Sequence, residues 1–261
     1  MLPHHQTALD KFLSLYQAKQ EFIGILLAGS LAHGYETADS DIDIILVATE
    51  DEYRKRSQDQ KLAFSLWDIC EYKNGYIDCK VVSLDSLKEV AAKGSDAARY
   101  AFKDSQLLHS RSHQLAPILS QVSQFPADQQ PDRQHRFTCQ LLAWKWYLSQ
   151  AEQKNNPYLR HLAAQKITLF ACRIILNENS MLFPYHKWLL EETKRAPQQP
   201  TKFQSLIDSF LQSPTFETAQ SIADCILEFI QLKEKEVDWP NQFMTDSELN
   251  WLHHPPPVDD L

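Results

Sequence analysis

Leu27-Ala-Gly-Ser-Leu-Ala-His-Gly-Tyr-Glu-Thr-Ala-Asp-Ser-Asp-Ile-Asp-Ile-Ile-Leu-Val47 is the stretch on which the reading of this chain turns. An apolar run, Phe22–Ala28, fits a buried strand and stops at Gly29-Ser30. A glycine there lets the backbone turn tightly and approach a ligand closely. The residues after it can open a short helix whose free N–H groups face a phosphate, with the Ser30 hydroxyl as a further donor. Asp41-Ile-Asp43 then leads into the apolar Ile44–Val47. Side chains alternate along a strand, so Asp41 and Asp43 share one face while Ile42 points into the core. Two carboxylates at the mouth of a buried strand are costly without a cation between them, and hard oxygen donors suit Mg²⁺.

A third carboxylate, Asp78, stands inside another strand-like segment, Tyr76-Ile-Asp-Cys-Lys-Val-Val82. If this strand neighbours Asp41–Ala48, three acids converge at one sheet edge; the plainer alternative is an edge-strand Asp facing water. Such a trio can hold two metal ions ~4 Å apart, one activating an attacking oxygen and one bridging a triphosphate. Cys79 follows Asp78 directly and so faces the opposite way, into the core.

Outward from these strands, Leu9, Phe12, Leu13 and Tyr16 recur at helical spacing, and polar helices are expected at Glu50–Phe64 and Leu84–Lys93, with a short strand near Gln106–His109. All five glycines lie at or before Gly94, whereas twelve of thirteen prolines lie at or after Pro117. The polar stretch Ser120–Arg133, containing Pro126 and Pro131, reads as a linker. Beyond it the pattern is helical: Phe137–Ala151, Tyr158–Leu176, His186–Arg195, Phe203–Leu211 and Phe216–Val237. The expectation is an α+β protein. An N-terminal domain over 1–121 carries a mixed sheet with helices, a helical bundle spans 133–250, and 251–261 form an irregular tail.

The chain has 261 residues and a formal charge of −8, which argues against duplex nucleic acid as an obligatory partner. The opening MLPHHQTALDKF lacks a basic leader followed by an apolar stretch, so no signal peptide is expected. No run approaches the ~20 apolar residues of a membrane span, so no membrane partner is expected. Five scattered cysteines, never in a CxxC pair, read as reduced thiols of a cytoplasmic protein, and a zinc site is not expected. His4-His5 and His253-His254 are read as exposed terminal residues.

Gly29-Ser30, then Ser40-Asp-x-Asp43, with Asp78 further on, resembles the GS…SDxD motif of the DNA polymerase beta-type nucleotidyltransferase superfamily. The resemblance covers roughly the first 110 residues. It is nearest the bacterial branch with a helical C-terminal domain, which includes the aminoglycoside and lincosamide nucleotidyltransferases. Leu182-Phe-Pro-Tyr-His-Lys-Trp-Leu189 is also similar to uncharacterised bacterial members of that branch. The resemblance implies that Gly29 and Ser30 bind the β/γ phosphates, Ser40 contacts the triphosphate, and Asp41 and Asp43 ligate Mg²⁺, with two ions expected. Asp78 is then the third ligand or the general base that takes the acceptor hydroxyl's proton. Glu89 is the weaker candidate for that base.

The implied reaction moves a nucleoside monophosphate from a nucleoside triphosphate, ATP foremost, to an acceptor hydroxyl, with release of pyrophosphate. The helical domain closes the cleft, and Lys187 is the candidate there for the triphosphate. Lys166 and Arg173 share a helix face and either reach phosphate or are solvated. Trp144, Trp146 and Trp188 are read as core, the first two also as possible walls for a ring. The leading acceptor is a small antibiotic-like hydroxyl compound, taken by a monomer or homodimer. A tRNA or protein acceptor is the second reading, and a non-catalytic nucleotide-binding protein the third.

Overall fold

The computed structural model of the chain describes residues 1–256, and the protein divides into two compact units, Met1–Gln124 and a second opening at Phe125. The division falls within the stretch read as a linker, but that stretch is largely ordered. A helix runs to Val122, a 3-10 turn spans Ala127–Gln129, and the next helix starts at Gln130 rather than near Phe137. Pro131 sits in that helix's first turn, where its missing N–H costs no hydrogen bond and its fixed φ suits the helix.

In the first unit α1 (Pro3–Tyr16) precedes β1 (Phe22–Leu27), and the short α2 (Gly29–His33) leads to β2 (Ile42–Ala48). Next come α3 (Glu50–Gln58), β3 (Ala63–Leu66), β4 (Ile77–Ser83) and α4 (Leu84–Lys93). The unit ends with α5 (Asp96–Tyr100), β5 (Gln106–Ser110) and α6 (Leu115–Val122). The five strands form one mixed sheet in the order β3-β4-β2-β1-β5. Only β2 and β4 run parallel; every other neighbouring pair is antiparallel.

The helix expected over Glu50–Phe64 is shorter, because Gln60 takes a left-handed turn at φ 56° and the chain re-enters the sheet as β3. In β3, Phe64 and Leu66 pack against the core while Ala63 and Ser65 are exposed. Thr49 caps α3 by accepting from the Glu52 N–H, and Glu50 accepts from the Asp85 N–H at the start of α4. The acids at the start of α3 are thus helix-end chemistry.

Strand alternation sorts the apolar side chains onto two faces. Ile25, Leu27, Ile44 and Leu46 pack with Leu9 and Phe12 of α1. Leu26, Ile45 and Val47 pack with Leu87 of α4 and with Leu115 and Ile118 of α6. By the same alternation Asp43 and Asp78 belong to the α4/α6 face, at the starts of their strands, where the apolar cover ends.

The second unit comprises α7 (Gln130–Gln153), α8 (Pro157–Glu178), α9 (Leu189–Lys194), α10 (Phe203–Gln212), α11 (Phe216–Phe229) and α12 (Trp239–Phe243). Two helices are shorter than their pattern implies. The first residues of the helix expected at His186 form a 3-10 turn, His186–Trp188, before α9. The helix expected to reach Val237 ends at Phe229; Gln231 is left-handed at φ 57°. Beyond that turn, both carboxylate oxygens of Glu234 accept from the buried Lys145 ammonium of α7, each at 2.7 Å. The tail begins with a 3-10 turn at Asn250–Leu252, and residues 257–261, which belong to the expected irregular tail, lie outside the described residues. No helix among the described residues is long and apolar enough to cross a membrane.

The N-terminal histidines are not the exposed residues that their position implies. His5 is 0% exposed, with its ring 5.1 Å from that of Tyr72, and His4 holds the Ala38 carbonyl at 3.0 Å. Burial, aided by the neighbouring His4, holds the His5 pKa below its ordinary 6.5. A histidine kept neutral by the fold takes up its proton more readily when unfolded, so its contribution is present above pH 6.5 and is lost as pH falls through the depressed value. We expect the urea midpoint of the wild-type chain to fall between pH 7 and 5, and His5→Phe to flatten that dependence.

Candidate active site

The site begins with the register of the one parallel strand pair. Asp43 of β2 stands opposite Asp78 of β4, so the two carboxylates leave the sheet side by side on strands ~4.8 Å apart. Both are half-buried, as is Asp41 one residue before β2 begins. Like charges this close repel and need compensation from their surroundings. Asp78 receives it from β3 and from its own strand: Ser65 Oγ donates to it at 3.2 Å, and the Lys80 ammonium lies 3.9 Å away.

Gly29 provides the floor. Its φ is +63°, and a Cβ placed there would fall inside the Asp43 carboxylate. The strand-to-helix turn therefore admits only a hydrogen at this position, and it brings the backbone of α2 directly against an acid. The Ala28 N–H donates to the Asp43 carbonyl at 2.9 Å, which closes the same turn from the strand side. Ser30 follows, 6% exposed, and its hydroxyl has no hydrogen-bond partner. A buried hydroxyl without a partner costs about 1–3 kcal/mol, so this donor suits a group that arrives with a ligand.

Two tyrosines from the β3–β4 connection hold the segment that carries Asp41. Tyr72 donates its hydroxyl to the Ser40 carbonyl at 2.9 Å. Tyr76 donates to the Asp41 carboxylate; that bond, with burial and the charges of Asp41, Asp78 and Asp43, pushes its pKa up to about 12. All three acids thus act on one phenol. Trp67, 67% exposed, stacks on Tyr76 with ring centres 4.4 Å apart and extends an aromatic surface from the acids.

The other expected site residues fall out as follows. The Ser40 hydroxyl is engaged by the Thr37 N–H at 2.9 Å and by the Thr37 hydroxyl at 3.2 Å, so it holds the turn before Asp41. Glu89 pairs with Lys93 at 2.6 Å on the solvent face of α4. Cys79 is fully buried on the α1 face, and burial pushes its thiol up to about 12, which leaves it inert at neutral pH. Lys187 belongs to the second unit, where its ammonium stands 4.9 Å from the Trp188 ring centre. It follows Tyr185, whose backbone at φ 67°, ψ −179° is one that side chains other than glycine rarely adopt. Trp146 is 45% exposed and Trp144 and Trp188 are half-buried, so none of the three is a core residue.

Among the described residues no group of three or more His, Cys, Asp or Glu side chains is arranged to hold a metal ion. Asp41 is bonded to Tyr76, and Asp78 to Ser65 and Lys80. What the chain does offer a hard cation is the in-register Asp43–Asp78 pair, with the unpartnered Ser30 hydroxyl on the neighbouring turn. That donor chemistry fits Mg²⁺.

Tyr76, Ser65 and Trp67 escape a reading of the sequence because each acts through a contact that only the sheet order creates. The short apolar alternation of Phe64 and Leu66 is the one local signal for β3, and hence for Ser65.

No known family model matches this sequence, and no curated protein matches it. The chain is similar in structure to a nucleotidyltransferase-like protein from Exiguobacterium sibiricum 255-15, with a TM-score of 0.49 and 12% identity over 98% of this chain and 83% of that one.

The two left-handed glycines give a matched test of the Gly29–Asp43 contact. Gly34 has φ +72° but open space where a Cβ would go. Gly34→Ala should cost about 1–2 kcal/mol, the backbone strain alone. Gly29→Ala adds overpacking against Asp43 and should cost a further ~1–3 kcal/mol in chemical denaturation. Equal costs would disprove the contact.

Proposed function

We propose that this chain is a Mg²⁺-dependent nucleotidyltransferase that moves a nucleoside monophosphate from a nucleoside triphosphate, ATP foremost, to a hydroxyl of a small antibiotic-like acceptor, releasing pyrophosphate. The observation that carries the reading is the in-register pairing of Asp43 with Asp78 beside a turn that admits only glycine. Acids aligned in this way, next to a buried hydroxyl with no partner, suit a polyanion that arrives with its cations. Five cysteines without disulfides agree with a cytoplasmic setting.

Each side chain then has a task. Asp41 and Asp43 would hold Mg²⁺, which would supply neutralisation of the triphosphate charge. Ser30 donates its free hydroxyl to a phosphate oxygen, and Gly29 lets the backbone come close. Tyr76, a proton donor at all physiological pH values, orients Asp41. Asp78 would serve either as a third metal ligand or as the base that takes the proton of the acceptor hydroxyl as its oxygen bonds to the α-phosphorus and the bond to pyrophosphate breaks.

The test is a transfer assay with labelled ATP, GTP, CTP and UTP against aminoglycosides, lincosamides, tRNA and cell lysate. Asp41→Ala with Asp43→Ala should abolish pyrophosphate release, and Ser30→Ala should raise the KM for the triphosphate about tenfold, the equivalent of one charge-assisted hydrogen bond. Undiminished transfer by the double variant would sink the mechanism. Release only with tRNA or lysate protein would move the acceptor to a macromolecule.

A further inference from the structure

The register that aligns Asp43 with Asp78 continues one step towards the strand starts and lines up a second row of side chains. Ile77 pairs with Ile42 of β2 on one side and with Leu66 of β3 on the other, so Asp41, Tyr76 and Trp67 fall next to one another just beyond the three strands. Two contacts bear out that order. The Tyr76 hydroxyl bonds the Asp41 carboxylate, and the Trp67 ring stacks on that of Tyr76 with 4.4 Å between centres and 21° between planes. The pleat puts Trp67 on the same face as Ser65, which donates to Asp78, while Phe64 and Leu66 turn to the core on the other side.

Trp67 is open on its outer side. Tyr76 covers one face of the ring, yet 67% of the residue is exposed, so the opposite face meets solvent. Among the described residues no other ring packs on it. It is also the sole tryptophan of the first unit, and strand register places it beside the acids.

The order of the strands decides what arrives there. On the transfer reading the triphosphate lies against the unpartnered Ser30 hydroxyl, on the β1 side of the acids, and pyrophosphate leaves towards it. Attacking and leaving oxygens stand in line on opposite sides of the phosphorus. The attacking hydroxyl therefore comes from the far side of Asp43 and Asp78, where β3 ends the sheet. Trp67 stands one strand spacing, ~4.8 Å, beyond Tyr76 in that direction, within reach of a sugar-sized ring whose hydroxyl is at Asp78. Carboxylates at one end and an indole face at the other suit a ring that carries positive charge, because the face of an indole attracts cations.

We propose that the open face of Trp67 is the acceptor subsite, on which a positively charged, hydroxyl-bearing ring of the acceptor stacks with its hydroxyl directed to Asp78. Trp67 then selects the acceptor and not the nucleotide. This subsite rests on the transfer reading for the direction of attack.

The indole N–H resonances of the full chain, which has six tryptophans, test it without turnover. The Trp67 signal is the one lost in Trp67→Phe. At least one of kanamycin, streptomycin and lincomycin, all cationic hydroxylated ring compounds, should shift that signal in the absence of nucleotide. Trp67→Ala, at an exposed position, should weaken the binding about tenfold, the scale of one cation–π contact, and Trp67→Phe, which keeps a ring, should weaken it less. In the transfer assay Trp67→Ala should raise the KM for the acceptor by a similar factor and leave the KM for ATP unchanged. No shift with any of the three compounds up to millimolar concentration overturns the proposal, as does equal binding by Trp67→Ala. A shift produced by ATP and by none of the three puts the nucleobase on Trp67 and overturns it too. Pyrophosphate release with an unchanged acceptor KM in Trp67→Ala removes the subsite and leaves the transfer reading standing. A Trp67-dependent shift without release from any triphosphate does the reverse.

Discussion

The parallel pairing of β2 with β4 is the constraint from which the rest of the first unit follows. It aligns Ile42 with Ile77, Asp43 with Asp78 and Ile44 with Cys79, so one register sets both a buried apolar layer and a half-buried acidic pair. Because side-chain direction alternates along a strand, a slip of one residue would exchange the two. A slip of β2, for example, would send Asp43 into the layer beneath α1 and turn Ile42 and Ile44 out of it. The apolar layer therefore enforces the acidic one. Its residues Ile42, Ile44, Leu46 and Ile77 are all essentially without exposure, and burying them outweighs the repulsion between two half-solvated acids.

The surroundings of the acids show how that repulsion is managed. Ser65, Lys80 and Tyr76 each give a proton or a positive charge to a carboxylate, and all three reach the site only because β3 and β4 form the sheet edge beside β2. Gly29 does the opposite: it removes bulk, so that backbone and acid meet without a side chain between them. Ser30 remains unsatisfied although buried. The buried hydroxyl left without a partner beside the acids is thus the one on the Gly29–Ser30 turn.

How much of this could be read from residues alone depends on the range of the interaction concerned. The acids and glycine of the motif, strands β1, β2 and β4, and helix α4 are carried by local patterns of period two or 3.6 and by capping residues. Those patterns survive in a single sequence. β3 is four residues long with two inward side chains, too short for period to speak, and the helical propensity of the preceding charged run masked its approach. The roles of Tyr72, Tyr76 and His5 depend on contacts across 32 to 67 positions, and no spacing rule reaches that far. Trp146 misleads for a different reason. A tryptophan in a helix is usually buried, but α7 is apolar on more than one face and leaves this one at the surface.

Charge offers the sharper lesson. A formal −8 divides evenly between the units, and an average of that kind predicts affinity for cations everywhere. The sheet unit uses its acids at one point, where strand register forces two of them together. The helical unit uses its bases at one point, where helical spacing and ring stacking gather four of them. Net charge sets the long-range field, but desolvated groups act over a few ångströms, inside the ~8 Å over which salt screens the rest. The two units thus depart from the average in opposite ways, with two acids in register at Asp43–Asp78 and four bases, Arg133, Arg136, Lys166 and Arg173, lining the cleft between α7 and α8. Composition alone hides both local excesses, because it averages over the positions that strand register and helical spacing bring together.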